Sequence, residues 1–240
     1  MQGAQPGTMI IVDQFGQVIA GQIADSVLQE MAAKEAQRYI SKGLSRKLML
    51  TNGDKFLEIF INVSCPADKL IIVGSGNMVQ DLYQLALVVG YNISIIDNQP
   101  QTLTRERFPL ANELLLGDIA ELLQSSTIDS NTSIVLISHN HEYDEPALLA
   151  VVNSPARYIG ILGNKRKVTA YFSKLNEMGV AEELMNRVYV PVGLDLGGQK
   201  TSEIALAIMA EILAVKYGRP GGFMSIRSVT KEMERHDIYY

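Results

Sequence analysis

One cysteine, Cys65, stands among 240 residues, and tryptophan is absent. A lone cysteine excludes an intramolecular disulfide and a thiolate zinc knot, and it fits a reducing compartment. Basic residues are in the minority: 21 Lys and Arg against 26 Asp and Glu give a net charge of −5. That balance argues against a surface for a nucleic-acid backbone, while leaving room for a local cluster that holds a small anion. No apolar run approaches ~20 residues, so no segment is expected to span a membrane. The opening "MQGAQPGTMIIVD" lacks the basic start and long apolar stretch of a signal peptide. The expectation is a cytoplasmic protein with neither nucleic acid nor membrane as partner.

The pattern of what is present changes once along the chain. Over 1–66, short strand-like runs ("MIIVD", "RKLML", "FLEIFINV") flank one amphipathic helix near 23–41, with Val27, Leu28, Met31 and Ala32 at helical spacing. "DQFG" and "TNGD" read as turns. This is expected to be a small α+β domain, with "SCPADK" as hinge. Over 67–240 continuous apolar runs alternate with helical segments. The runs are "KLIIV" (69–73), "NISIID" (92–97), "ELLL" (113–116), "SIVLIS" (133–138), "RYIGIL" (157–162) and "RVYV" (187–190); the helical segments include 77–89, 142–152, 164–178 and 201–216. Unbroken apolar strands between helices predict a mainly parallel sheet buried on both faces. The fold class is therefore α/β, a doubly wound Rossmann-like domain behind a small amino-terminal one, ending in a polar tail after "YGRPGGF".

Four motifs carry candidate chemistry. In "IIVGSGNMV", Gly74-x-Gly76 and Asn77 follow a strand and open a helix, and Asp97 ends the next strand. Glycines let a pyrophosphate approach the backbone, the helix start offers N–H donors, and such an acid binds a ribose hydroxyl and disfavours a 2′-phosphate. The alternative is a tight turn with no ligand. In "GILGNKRKVTAYF", Gly163 and Asn164 end a strand, and Lys165, Arg166 and Lys167 crowd the first turn of the next helix. Cations there oppose the helix dipole by roughly 0.3–1 kcal/mol each, so either a bound phosphate or nearby acids compensate them. In "SHNHEYDEP", His139 and His141 share a side of an extended segment, with Asp144 behind. Two histidines without a clear further ligand favour hydrogen bonds to a ligand over a metal; Asp144 before Glu145-Pro146 also reads as a helix N-cap. In "VYVPVGLDLGGQK", Gly193 and Asp195 lie in a glycine-rich loop, where Asp195 either serves a ligand or forms an Asx-turn. All four follow the carboxyl end of a strand. In a doubly wound sheet those ends share one edge, so the motifs are expected to converge.

These motifs, with "IIDNQP", "RERFPLA" and "PVGLDLGGQKTSEIALAIMAEI", resemble in order and spacing the xanthine dehydrogenase accessory protein family (XdhC/CoxI type) over about 69–216. The opening hairpin "GAQPGTMIIVDQFGQVIAGQI" is faintly similar to the family's first domain. Asn77 stands where the family commonly has histidine, and its Cys-Gly-Gly motif is absent, with "LEIFINVSCP" near its place. The resemblance implies a non-enzymatic accessory protein that binds molybdenum cofactor and assists its insertion into a molybdenum hydroxylase apoenzyme. On that reading the site comprises Gly74, Gly76, Asn77, Asp97, His139, His141, Asp144, Gly163, Lys165, Arg166, Lys167, Gly193 and Asp195, with no catalytic residue and no metal ligand. The residues alone also allow an NAD-dependent oxidoreductase or a nucleotide-sensing module. A homodimer is expected as the commonest closed assembly.

Overall fold

The computed structural model describes residues 7–64, 66–137, 141–163, 173, 175–177 and 179–224, with His141 by its backbone alone. The chain divides into two compact units, Met1–Pro66 and Ala67–Tyr240.

The first unit is two hairpins and a helix. Strands β1 (Ile10–Val12) and β2 (Val18–Gly21) pair antiparallel. Their turn is built by Asp13, whose carboxylate accepts from the amides of Phe15 and Gln17. Helix α1 (Ser26–Ile40) starts at Asp25, which caps the amides of Val27 and Leu28 and pairs with Lys55 at 2.6 Å. Strands β3 (Arg46–Asn52) and β4 (Lys55–Ile61) close around the expected turn, with Gly53 at φ +58°. Leu28, Ala32, Leu50 and Ile23 form one small core, and Ala36, Tyr39 and Ile61 another. Val27, expected on the apolar face, is exposed, because the helix starts three residues later than its pattern suggested and this position falls at the rim.

The second unit runs β5 (Lys69–Val73), α2 (Asn77–Val89), β6 (Asn92–Asp97), β7 (Glu113–Leu116), α3 (Ile119–Ser125), β8 (Thr132–Leu136), α4 (His141–Val151), β9 (Tyr158–Ile161), α5 (Glu182–Met185), β10 (Val188–Tyr189) and α6 (Thr201–Lys216). All six strands are parallel, in the order β10-β9-β8-β5-β6-β7. This is the Rossmann-like order, with its switch point between β5 and β8. Side chains alternate across β5: Leu70 and Ile72 pack with Val79 and Leu82 of α2 and Ile208 and Ile212 of α6, whereas Ile71 and Val73 pack with Leu123 of α3 and Leu148 of α4. Both faces are covered, which is why these strands read as unbroken apolar runs. Strands β8, β9 and β10 are shorter than their apolar runs by one or two residues at an end. Helix α3 was not anticipated; it is only seven residues long and depends on Asp118, which caps the amide of Glu121 at 2.9 Å.

At the amino-terminal end of the sheet, Asp68 joins three elements. Its carboxylate accepts from Arg157, just before β9, at 2.7 Å and from Lys216, the last residue of α6, at 2.6 Å. In β9 itself, a Cβ on Gly160 would lie 2.6 Å from Val192 and 2.7 Å from the Tyr158 hydroxyl. Gly160→Ala is accordingly expected to cost about 1–3 kcal/mol through overpacking, read as a lower denaturation midpoint at unchanged slope.

Candidate functional site

The carboxyl ends of β5 and β8 lie side by side, and the Ile137 amide donates to the Val73 carbonyl at 2.8 Å. The chain leaves β5 through Gly74, whose φ of +112° is a conformation that side-chain-bearing residues rarely adopt. Its amide donates to the Ile96 carbonyl at 2.8 Å, fastening the turn to β6. Gly76 is the N-cap of α2 with extended backbone, φ −72°. That torsion is one any residue adopts, and no side chain caps the helix start. No acidic residue occupies that first turn, so the partial positive charge of the helix start is not offset within the helix.

Between these glycines, Ser75 is fully buried. Its hydroxyl donates to Asp97 Oδ2 at 2.5 Å and lies 2.5 Å from Thr102 Oγ1. Asp97 Oδ1 accepts from the Asn98 amide at 2.7 Å, and the residue is only 4% exposed. Asp97 is thus a brace between the ends of β5 and β6, which leaves little of its carboxylate accessible to a ribose hydroxyl.

A residue that the sequence motifs left without a role completes the cluster. Arg107 sits in the connection from β6 to β7 and reaches back over the glycine turn. Its guanidinium donates to the Ser75 carbonyl at 2.8 Å, to Asn77 Oδ1 at 3.2 Å and, at the limit of hydrogen-bonding distance, to Gln80 Oε1 at 3.5 Å. Among the described residues these acceptors are all neutral, and no carboxylate pairs with Arg107. The connection is held by Phe108, fully buried edge-on against Tyr83 with ring centroids 5.3 Å apart, and by the Leu110 amide donating to the Tyr83 hydroxyl at 2.7 Å. Among the described residues the arrangement presents a guanidinium with no carboxylate partner, a left-handed glycine and a helix start with no side-chain cap at the switch point. Chemically it suits a phosphate or carboxylate group.

The other anticipated residues divide into four sets. Asp144 is buried in the first turn of α4. It is not the N-cap, because α4 begins at His141 and carries Pro146 inside it; the proline lies beyond the first helical position, where its usual enrichment would have placed the cap. Gly163 and Gly193 follow β9 and β10 at the same sheet edge, and no hydrogen bond among the described residues ties them to the cluster at β5. The Gly193 amide is used internally, donating to Glu211 Oε2 at 2.9 Å, and that carboxylate also accepts from the Tyr158 hydroxyl. Burial, the hydrogen bond to Glu211 and its charge push the Tyr158 phenol far above its ordinary range. Asp195 is exposed. His139, the His141 side chain, Lys165, Arg166 and Lys167 lie outside the described residues, as does most of the helical segment expected over 164–178. Among the described residues no three His, Cys, Asp or Glu side chains cluster as metal ligands, and no helix is long and apolar enough to cross a membrane.

Residues 70–212 match the family model for the XdhC Rossmann domain. The chain belongs to the XdhC family. The chain is 33% identical over 168 residues to the uncharacterized protein YqeB of Escherichia coli K12, covering 70% of this chain and 31% of that protein. It is 26% identical over 169 residues to a probable xanthine dehydrogenase subunit of Bacillus subtilis 168, covering 70% and 49%. It is 26% identical over 151 residues to the molybdenum cofactor insertion chaperone PaoD of Escherichia coli K12, covering 63% and 41%. The chain therefore spans half or less of the length of these curated relatives. A crystal structure of a xanthine dehydrogenase from Bacillus halodurans superposes with a TM-score of 0.58 at 23% identity, over 83% of this chain and 67% of that one, a likeness of fold. The Gly74–Asn77 turn was readable from the sequence as a strand-to-helix turn, and Asp97 as the end of β6 but not as the partner of Ser75. Arg107 was visible only as part of "RERFPLA".

Proposed function

We propose that this XdhC-family protein binds molybdenum cofactor, or a related nucleotide-type ligand, by its phosphate at the α2 start, and assists its insertion into a molybdenum hydroxylase apoenzyme. The observation that carries the reading is Arg107: a cation held by neutral acceptors over a glycine turn and a helix start. Gly74 and Gly76 give the ligand access to the backbone, and Asn77 and Arg107 orient it. The names of two relatives, a cofactor insertion chaperone and a probable xanthine dehydrogenase subunit, point the same way. The cofactor would do its redox chemistry in the receiving enzyme, so no catalytic step is assigned to this chain.

A second reading, binding of NAD, is favoured by the strand order alone. The burial of Asp97 weighs against it, since the acid that would hold the ribose is spent on Ser75 and Asn98.

The test is anaerobic calorimetry with molybdenum cofactor and NAD titrated separately. Arg107→Ala is expected to weaken cofactor binding by roughly tenfold to a hundredfold, with a flatter dependence on salt, and a Lys165→Ala/Arg166→Ala variant to weaken it as well. Binding of NAD alone, lost in Asp97→Ala and indifferent to Arg107, would replace this reading with the dinucleotide one.

A further inference from the structure

We propose that the phosphate taken at the α2 start is a terminal one: the ligand is a phosphomonoester that enters by its doubly charged end, and not a dinucleotide that crosses the turn by its pyrophosphate. This rests on the phosphate reading above and narrows it. At a switch point a dinucleotide runs from the glycine turn toward the end of the neighbouring strand, where an acid takes its ribose hydroxyls. In this domain that strand is β6 and the acid is Asp97. Both carboxylate oxygens are engaged, Oδ2 by Ser75 and Oδ1 by the Asn98 amide, and the residue is buried. The Thr102 hydroxyl is engaged as well. It lies 2.5 Å from Ser75 Oγ and donates to the Gln99 carbonyl at 3.4 Å. A ribose laid at the end of β6 would find its usual acceptor already in use.

Arg107 obstructs the same route. On one side its guanidinium donates to the Ser75 carbonyl at 2.8 Å and the Thr102 carbonyl at 3.4 Å. On the other it reaches Asn77 Oδ1 at 3.2 Å and Gln80 Oε1 at 3.5 Å, both at the start of α2. These bonds tie the connection after β6 to the helix, across the space through which the second half of a dinucleotide would pass. The side chain that bars a dinucleotide is also the one that suits a phosphate end. A monoester carries about −1.5 to −2 charges at pH 7 and three strong acceptor oxygens. Esterifying it removes one of those oxygens and its second charge. An intact end can meet the guanidinium and the first-turn amides together. Those amides have no side-chain cap and no acid in their turn, and among the described residues no carboxylate pairs with Arg107, so its charge is left for the ligand.

The experiment titrates the full chain, isotopically labelled, with three probes: phenyl phosphate, its methyl ester and NAD. Amide resonances of residues 74–80 are followed by nuclear magnetic resonance. Phenyl phosphate is expected to shift the amides of Asn77, Met78 and Val79 and to bind roughly tenfold more tightly than methyl phenyl phosphate. The preference should shrink toward unity near about pH 5, where the monoester takes up its second proton; the methyl ester has no proton to gain in that range. Arg107→Ala is expected to lose most of the preference along with affinity; should that variant misfold, the comparison of the two esters on the unaltered protein still decides. Equal binding of the two esters at these amides, or tighter binding of NAD there, overturns the proposal and leaves a phosphate site at the α2 start standing. No shift of these amides with any of the three at about 10 mM overturns the phosphate reading itself, and this proposal with it.

Discussion

Phe108→Ala is expected to lower the unfolding free energy of the Rossmann unit by about 3–5 kcal/mol and to weaken anion binding in the same protein. Phe108 is fully buried, and its ring meets Tyr83 edge-on at 88°. Removing the ring leaves a cavity between the β6–β7 connection and α2, which a close-packed interior fills only in part. The functional effect follows from chain continuity, since Arg107 is the next residue and takes its position over Ser75 and Asn77 from this anchor. Denaturant titration reads the stability. Calorimetry below the unfolding midpoint reads the binding loss. A variant that loses stability yet binds as wild type would show that Arg107 holds its place through its own hydrogen bonds.

The second large effect is at the other end of the sheet. Asp68→Ala is expected to cost about 3 kcal/mol, because it strands two partly buried cations, Arg157 and Lys216. Burial tends to raise the Asp68 pKa, but the hydrogen bonds from Lys216 and Arg157 outweigh it and hold the carboxyl below the ordinary carboxylate range. A depressed folded pKa stabilises the protein above the unfolded value, and that stabilisation disappears as pH falls through the folded one. For Lys216 burial acts to lower the pKa, and the pairing with Asp68 more than reverses it, so the value is raised. Its contribution is complete below the unfolded lysine pKa and is lost as pH rises through the raised one. The difference between wild type and Asp68→Asn should therefore be widest between these limits and shrink in acid. Thermal unfolding across pH measures it, and a difference that stays constant down to strong acid would contradict the assignment.

The sequence was most readable where one local rule decided the outcome. Strands β5, β6 and β7 and helices α2 and α6 match their patterned segments end for end, because their apolar periodicity and flanking glycines agree with the tertiary packing. That β5, β8, β9 and β10 run parallel, with their carboxyl ends at one edge, followed from the alternation of strands and helices. What stayed hidden depends on contacts distant in sequence. Ser75 and Asp97 are 22 residues apart and Arg107 is 32 from Ser75; no spacing rule relates them before the β6–β7 connection folds back over the glycine turn. The alternative reading of Asp144 as an N-cap failed for a more local reason: a proline beside an acid resembles a helix start, and here the helix had already begun.

Asp68 and Ser75 sit at opposite ends of β5. The five residues of β5 lie between them, roughly 17 Å at the usual rise. Substitutions that far apart, with no shared partner, combine additively. The base of the sheet can then be reinforced or weakened as an independent dial: a costly change at the glycine turn can be rescued from the far end without touching the ligand. Selection, or an engineer, is left free to vary one edge of this domain while the other keeps it folded.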